Sequence, residues 1–215
     1  MKLTIYILSL IFSFGLSLSL QAQTYNGSYS INVQDSSDLT ASYLLSNNQM
    51  ITASLSKKVV PQAGTGFPDM RSVGNIAIRK LDSDGNQLWE TTIPNSSARI
   101  THIEVNSANE IIVSGGFHDT IQFDSAHVYY AHTFRLNAFI ASYSSTGEFN
   151  WVHVTDADVS YSKYYYTFDI YNNQIYAPFI EHSSTNLHLH VLDMQGDSVN
   201  DIQLAEGGLL VSEFE

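Results

Sequence analysis

Tyr143–Trp151 reads YSSTGEFNW, and 62 residues earlier Leu81–Trp89 reads LDSDGNQLW. Each phrase is an apolar residue, a polar turn closed by glycine, and a tryptophan four places after that glycine. The flanks alternate apolar and polar residues: NIAIRKL before the first turn, NAFIASY before the second, QLWETTI and EFNWVHV after them. Alternation of period two on both sides of a Gly-containing turn is the pattern of a β-hairpin. Glycine supplies the positive φ that such a turn needs.

Outward from these phrases the chain is a series of further hairpins. RITHIEV turns through NSAN into EIIVSGG, LTASYLL through SNN into QMITASL, YYYTFDI through YNN into QIYAPFI, and LHLHVLD through MQG into DSVNDIQL. Two hairpins make one copy, and three copies align. Gly85, Gly147 and Gly196 share one place, with separations of 62 and 49; Gln49, Glu110 and Gln174 share another, with separations of 61 and 64. Four strands per copy in tandem predict propeller blades, each burying its sheet faces against neighbours. The copies are expected at about 38–97, 98–160 and 161–204, with a fourth opening at 205–215 (GGLLVSEF) and an N-terminal strand or linker at 23–37. The tryptophan is expected to pack on the adjacent blade with its N–H on a backbone carbonyl. No tryptophan follows Gly196, so that seam is expected to be weaker, or filled by Tyr176 or Phe179. Ser56–Gly74 and His118–Asn137 read as loops joining the hairpins.

The phrases GNIAIRKLDSDGNQLWETTI and LNAFIASYSSTGEFNWVHV resemble bacterial beta-propeller repeats of the SBBP type, and GGFHDTIQFDS, Gly115–Ser125, resembles the segment joining the two hairpins in those repeats. Ala141–Trp151, AxYxxTGxxxW, also resembles the tryptophan-docking motif of quinoprotein-like propellers; the first copy departs from it, with Arg79 in the alanine place. The resemblance covers residues 38–204. It implies an exported Gram-negative surface or extracellular protein and leaves activity open. Propellers usually close with at least four blades, and three are counted. The expectation is therefore an incomplete propeller, a fragment of a longer protein, with an open stack whose edges pair with another chain as the alternative.

The N-terminus predicts the compartment. Lys2, an apolar run from Ile5 to Leu20 and the sequence Leu20-Gln21-Ala22 follow the layout of a secretory signal peptide, residues 1–22. The run is short for a membrane anchor, and no basic cluster follows it. The chain has no cysteine, so burial without disulfides must hold it together. Its formal net charge is −12, and one unit more negative without Lys2. That balance argues against nucleic acid or anionic membrane as partner.

Candidate chemistry is weak throughout. His188 and His190 form an HxH pair whose side chains share a strand face, with His182 or Glu181 as a third zinc or copper ligand; two partly exposed histidines on a strand is the plainer reading. DSDG, Asp82–Gly85, fails as a calcium loop because Ile93 stands where a bidentate acid belongs. Asp156 and Asp158 offer two carboxylates, too few for a cation site and expected on a solvated loop. Gly64–Gly66 is too short for a phosphate loop. No GxSxG elbow is present. Tyr161, Tyr164, Tyr165, Tyr166 and Tyr171 concentrate aromatic surface for sugar or protein contact, or pack between sheets. No residue is assigned a catalytic, cofactor-binding or metal-ligating role, and no cofactor is expected. The reading is an exported, all-β, non-catalytic propeller repeat protein that binds protein or glycan at the cell surface or outside it. A propeller hydrolase, lyase or quinone-dependent dehydrogenase, and a structural segment of an adhesin, are the alternatives.

Overall fold

In the computed structural model the described residues are 37–61, 70–131, 137–155, 167–180 and 187–205. They belong to one unit, Ile31–Glu215. The expected signal peptide, the strand before residue 37, Gly64–Gly66, Asp156, Asp158, Tyr161, Tyr164–Tyr166, Glu181, His182 and the expected fourth-blade opening lie outside them.

Among the described residues the architecture is all-β, with three blade-like, four-stranded antiparallel sheets, none closed into a barrel. Blade 1 consists of β1 (Ser37–Leu44), β2 (Met50–Pro61), β3 (Met70–Leu81) and the first half of β4 (Gln87–Val105). Blade 2 takes the second half of β4, then β5 (Ile111–His118), β8 (Asn137–Tyr143) and β9 (Phe149–Thr155); β6 (Thr120–Gln122) and β7 (Val128–Tyr130) form a two-stranded ribbon between its hairpins. Blade 3 is β10 (Asp169–Tyr171), β11 (Gln174–Ile180), β12 (Leu187–Asp193) and β13 (Ser198–Ala205). Every quoted hairpin turn stands where the pattern puts it.

One strand runs through the expected copy boundary at 97/98: β4 pairs with β3 as far as Ser96 and with β5 from Ser97. Hydrogen bonding is therefore continuous from blade 1 into blade 2, whereas blade 3 is a separate sheet. Ser56–Gly74 is not all loop, because β2 continues to Pro61 and β3 begins at Met70, with Lys57 opposite Gly74 and Val59 opposite Ser72. Val59 and Val60 are good strand formers, and each residue pair added lengthens an existing ladder. Blade 3 has a short first strand, and Pro178 is compatible with it: β10 pairs only as far as Tyr176, so the missing Pro178 N–H leaves no gap in the β10–β11 ladder.

The five hairpin turns that join β1–β2, β3–β4, β4–β5, β8–β9 and β12–β13 share one plan. In each, the amide of the fourth turn residue donates to the carbonyl of the first, at 3.0 Å for Asn48, 3.1 Å for Gly85, 3.0 Å for Asn109, 3.0 Å for Gly147 and 3.2 Å for Gly196. That fourth residue has positive φ in every case. A type I turn followed by a left-handed residue is the usual longer hairpin connection. The polar first residue then ties the turn from its side chain. Asp82, Asn106, Ser144 and Asp193 each accept from the amides two and four residues on, at 2.8–3.2 Å. The acidic and amide residues of DSDG are thus used by the turn itself. The side-chain hydrogen bond from Asn86, and then that residue's backbone amide, hold the Asp82 carboxyl below its ordinary range.

Each blade has a leading face toward its predecessor and a trailing face toward its successor. Ile51, Ala53, Leu55, Ile76, Ile78 and Ile93 on the trailing face of blade 1 pack with Ile103, Val113, Phe117, Phe139, Ala141 and Tyr143 on the leading face of blade 2. The second seam is smaller: Ile112 and Ile140 of blade 2 meet Phe168, Ile175, Ala177, Leu192 and Met194 of blade 3. Burial of these side chains is the main stabilising term, about 25 cal/mol per Å² of apolar surface.

One buried atom in the first seam stands apart. The Tyr143 hydroxyl is buried with no hydrogen-bond partner among the described residues, and burial pushes it up from the ordinary phenol range. An unsatisfied buried hydroxyl costs roughly 1–3 kcal/mol. Tyr143→Phe should therefore raise the unfolding free energy by about 1 kcal/mol, read as a higher denaturant midpoint at unchanged slope.

Candidate functional site

The tryptophan of the repeated phrase is a plug, and the glycine of the next copy is its socket. Trp89 Nε1 donates to the Ser145 carbonyl at 3.0 Å, and Trp151 Nε1 donates to the Met194 carbonyl at 2.9 Å. Both acceptors lie two residues before the next blade's turn glycine. The ring lies flush on that glycine. A Cβ on Gly147 would stand 2.7 Å from Trp89 Cε3, and one on Gly196 would overlap the Trp151 ring. Two residues beyond each tryptophan a second contact follows: Thr91 Oγ1 donates to the Gly147 carbonyl, and His153 Nδ1 lies 3.2 Å from the Gly196 carbonyl oxygen. This accounts for glycine at 147 and 196, while Asn48 and Asn109 hold positive φ in sister turns. Asparagine tolerates the left-handed backbone, but only a residue without a side chain leaves room for the indole. Gly85 has the same φ, near +85°, and open space around it.

The two expected substitutes in blade 3 differ: Tyr176 shares a trailing-face row with Val191 and Asn200, and Phe179 does not. Asn200 occupies the tryptophan place. Tyr176 donates to Gln174 Oε1 at 2.9 Å within its own strand. Phe179 turns to the leading face, its ring 5.1 Å from both His188 and His190.

The expected inter-hairpin loop of blade 2 is largely an ordered ribbon. Asp119 enters it with φ 59°, and its carbonyl accepts from the Ala131 amide at 2.7 Å. At the tip, Asp124 Oδ1 accepts from the amides of Ala126 and His127 and from His127 Nδ1, each at 2.8 Å. The His127 hydrogen bond holds the Asp124 carboxyl below its ordinary range. Beneath the ribbon Phe123 stacks on Phe149 at 5.5 Å and meets Phe139 edge-on at 5.3 Å, while Ile121 is fully buried. Aromatic contacts of this kind add about 0.5–1.5 kcal/mol beyond their buried area. On this base Tyr130 is 75% exposed. Residues 132–136 lie outside the described residues.

His188 and His190 do share a face, and it is the leading face of blade 3, against blade 2. His188 Nδ1 lies 2.8 Å from Asp201 Oδ1, and His190 Nε2 lies 3.3 Å from Ser198 Oγ. The His190 ring meets His153 of blade 2 edge-on at 5.1 Å. Nothing in the primary pattern drew attention to His153; its signal is its place six residues after the turn glycine, where blade 1 has Thr91. Among the described residues no three His, Cys, Asp or Glu side chains converge as a metal-ligand set. No helix among them is long and apolar enough to cross a membrane. Tyr171 is 64% exposed, so of the tyrosine concentration the one described member faces solvent.

No family model matches the chain, and no curated protein matches it. Among solved structures the chain is similar to a protein of unknown function from Bacteroides caccae, at 9% identity over 78% of this chain and 67% of that one, with a TM-score of 0.27.

Proposed function

We propose that this chain is an exported, non-catalytic blade-repeat protein whose work is binding, to protein or glycan, at the cell surface or outside the cell. The observation that supports this reading is the β6–β7 ribbon. It is an insertion between hairpins, held rigid by the Asp124 turn and by the aromatic stack under it, and it lifts Tyr130 into solvent. A rigid, exposed tyrosine presents a large contact area with little entropy left to lose on binding, which suits recognition surfaces. Connections on a stable scaffold are where binding residues concentrate. The resemblance to SBBP-type repeats and the N-terminal pattern of residues 1–22 support export.

The test is binding by the purified chain to glycans and to surface proteins of the source cells, compared with Tyr130→Ala. Loss of binding of about tenfold, with the thermal midpoint unchanged, supports the ribbon as the contact. Turnover of a polysaccharide or alcohol panel that disappears with a single carboxylate substitution would replace this reading with an enzymatic one.

A further inference from the structure

The two seams are built on one register, so they are compared position by position. Across the leading face of blade 2 one row reads Val113, Ala141, Val152; the same row of blade 3 reads Ala177, His190, Asp201. The neighbouring row is Gly115, Phe139, Val154 in blade 2 and Phe179, His188, Gln203 in blade 3. On the opposing trailing faces Thr91 of blade 1 is matched by His153 of blade 2. Where the first seam is apolar, the second holds histidines from both sheets. A further one, His102 of blade 2, lies edge-on to Phe168 at 5.0 Å, with Glu104 Oε1 3.2 Å from its Nε2.

We infer that the seam between blades 2 and 3 is an acid-labile joint: protonation of His153 and His190 releases blade 3 from blade 2 while the first seam stays closed. The geometry carries the argument. His190 Nδ1 is buried with no hydrogen-bond partner among the described residues. As a bare lone pair it is tolerated. As an N–H on a cation it has no acceptor, and a buried donor left without one is destabilising, although the ring as a whole is half-buried. His153 faces it, so two imidazolium ions would meet across the seam. His188 adds a third ring from β12. The carboxylates opposing this are Asp201 on β13 and Asp197 in the β12–β13 turn. They do not prevail. Burial holds both imidazoles below their ordinary range; His190 adds to it at His153, and His188 adds to it at His190, where Asp201 opposes it more strongly than His188 contributes. A folded-state value below the unfolded one means the contribution is whole above about pH 6.5 and is lost as pH falls below it. The carboxylates Asp82 and Asp124, also held low, titrate below about pH 4, in a separate window. Among the described residues blade 3 shares no strand with blade 2, so no ladder there opposes release.

The experiment is native-state hydrogen exchange on the purified chain, comparing protection of β11–β13 with that of β2–β5 from about pH 7.5 to about pH 5. Protection in β11–β13 should fall by about tenfold or more over this range while that of β2–β5 holds. In a Trp89→Phe chain, Trp151 emission should shift red over the same range. His153→Thr with His190→Ala, the residue types of the first seam, should abolish the response; His190→Gln, which keeps a donor and cannot charge, should blunt it. Loss of protection in both seams at one pH overturns the inference, whether or not the double variant folds. So does an unchanged response in a folded variant.

Discussion

Gly147→Asn should lower the unfolding free energy by about 3 kcal/mol, whereas Gly85→Asn should change it by less than about 1 kcal/mol. The two glycines have the same backbone conformation and stand in the same turn of successive copies. Asparagine is tolerated at this place in the fold, since Asn48 and Asn109 hold positive φ in sister turns. Backbone strain therefore cancels from the comparison. What remains is the neighbour. At Gly147 the added Cβ meets Trp89 Cε3 at 2.7 Å and Thr91 Oγ1 at 2.9 Å, so the indole must leave its seat and its bond to Ser145 is lost; at Gly85 it meets open space. The check is urea unfolding of both variants beside the parent, at matched slope. Equal losses would mean that the turn, and not the docking, requires glycine.

Trp151→Ala should cost about 3 kcal/mol and should split the unfolding transition in two. The truncation removes the bond to Met194 and the ring over Gly196. Among the described residues blade 3 then keeps the small cluster around Ile112, Ile140 and Ile175 and shares no strand with blade 2. Trp89→Ala should cost a similar amount within a single transition, because β4 joins blades 1 and 2 by an unbroken ladder on either side of Ser97. Calorimetry separates the cases: two resolved peaks for Trp151→Ala, one for Trp89→Ala. A single peak for both would show that blade 3 depends on the rest through contacts other than this seam.

The hairpins and their repetition were legible because each rests on local chemistry. Alternation such as NAFIASY places a strand. Asp82, Asn106, Ser144 and Asp193 close their own turns within four residues. The glycine of each edge turn announces positive φ without any knowledge of its neighbours. The strand run through Val59 and Val60 was hidden by lysines, prolines and glycines around it. The ribbon was hidden because strands of three residues are too short to show a period.

The facing of residues across seams was decided elsewhere. That Gly147 is bare because Trp89 lies on it, that Phe179 turns toward blade 2 and not away, and that His153 meets His190 follow from the register of one sheet against another. Residues 37–58 positions apart in the chain carry no local signal of contact, as His153 and His190 do not, nor Trp89 and Gly147. A strand's period specifies which residues share a face. Which face another sheet covers is set by the packing of the whole stack, since burial is rewarded only where two apolar surfaces meet.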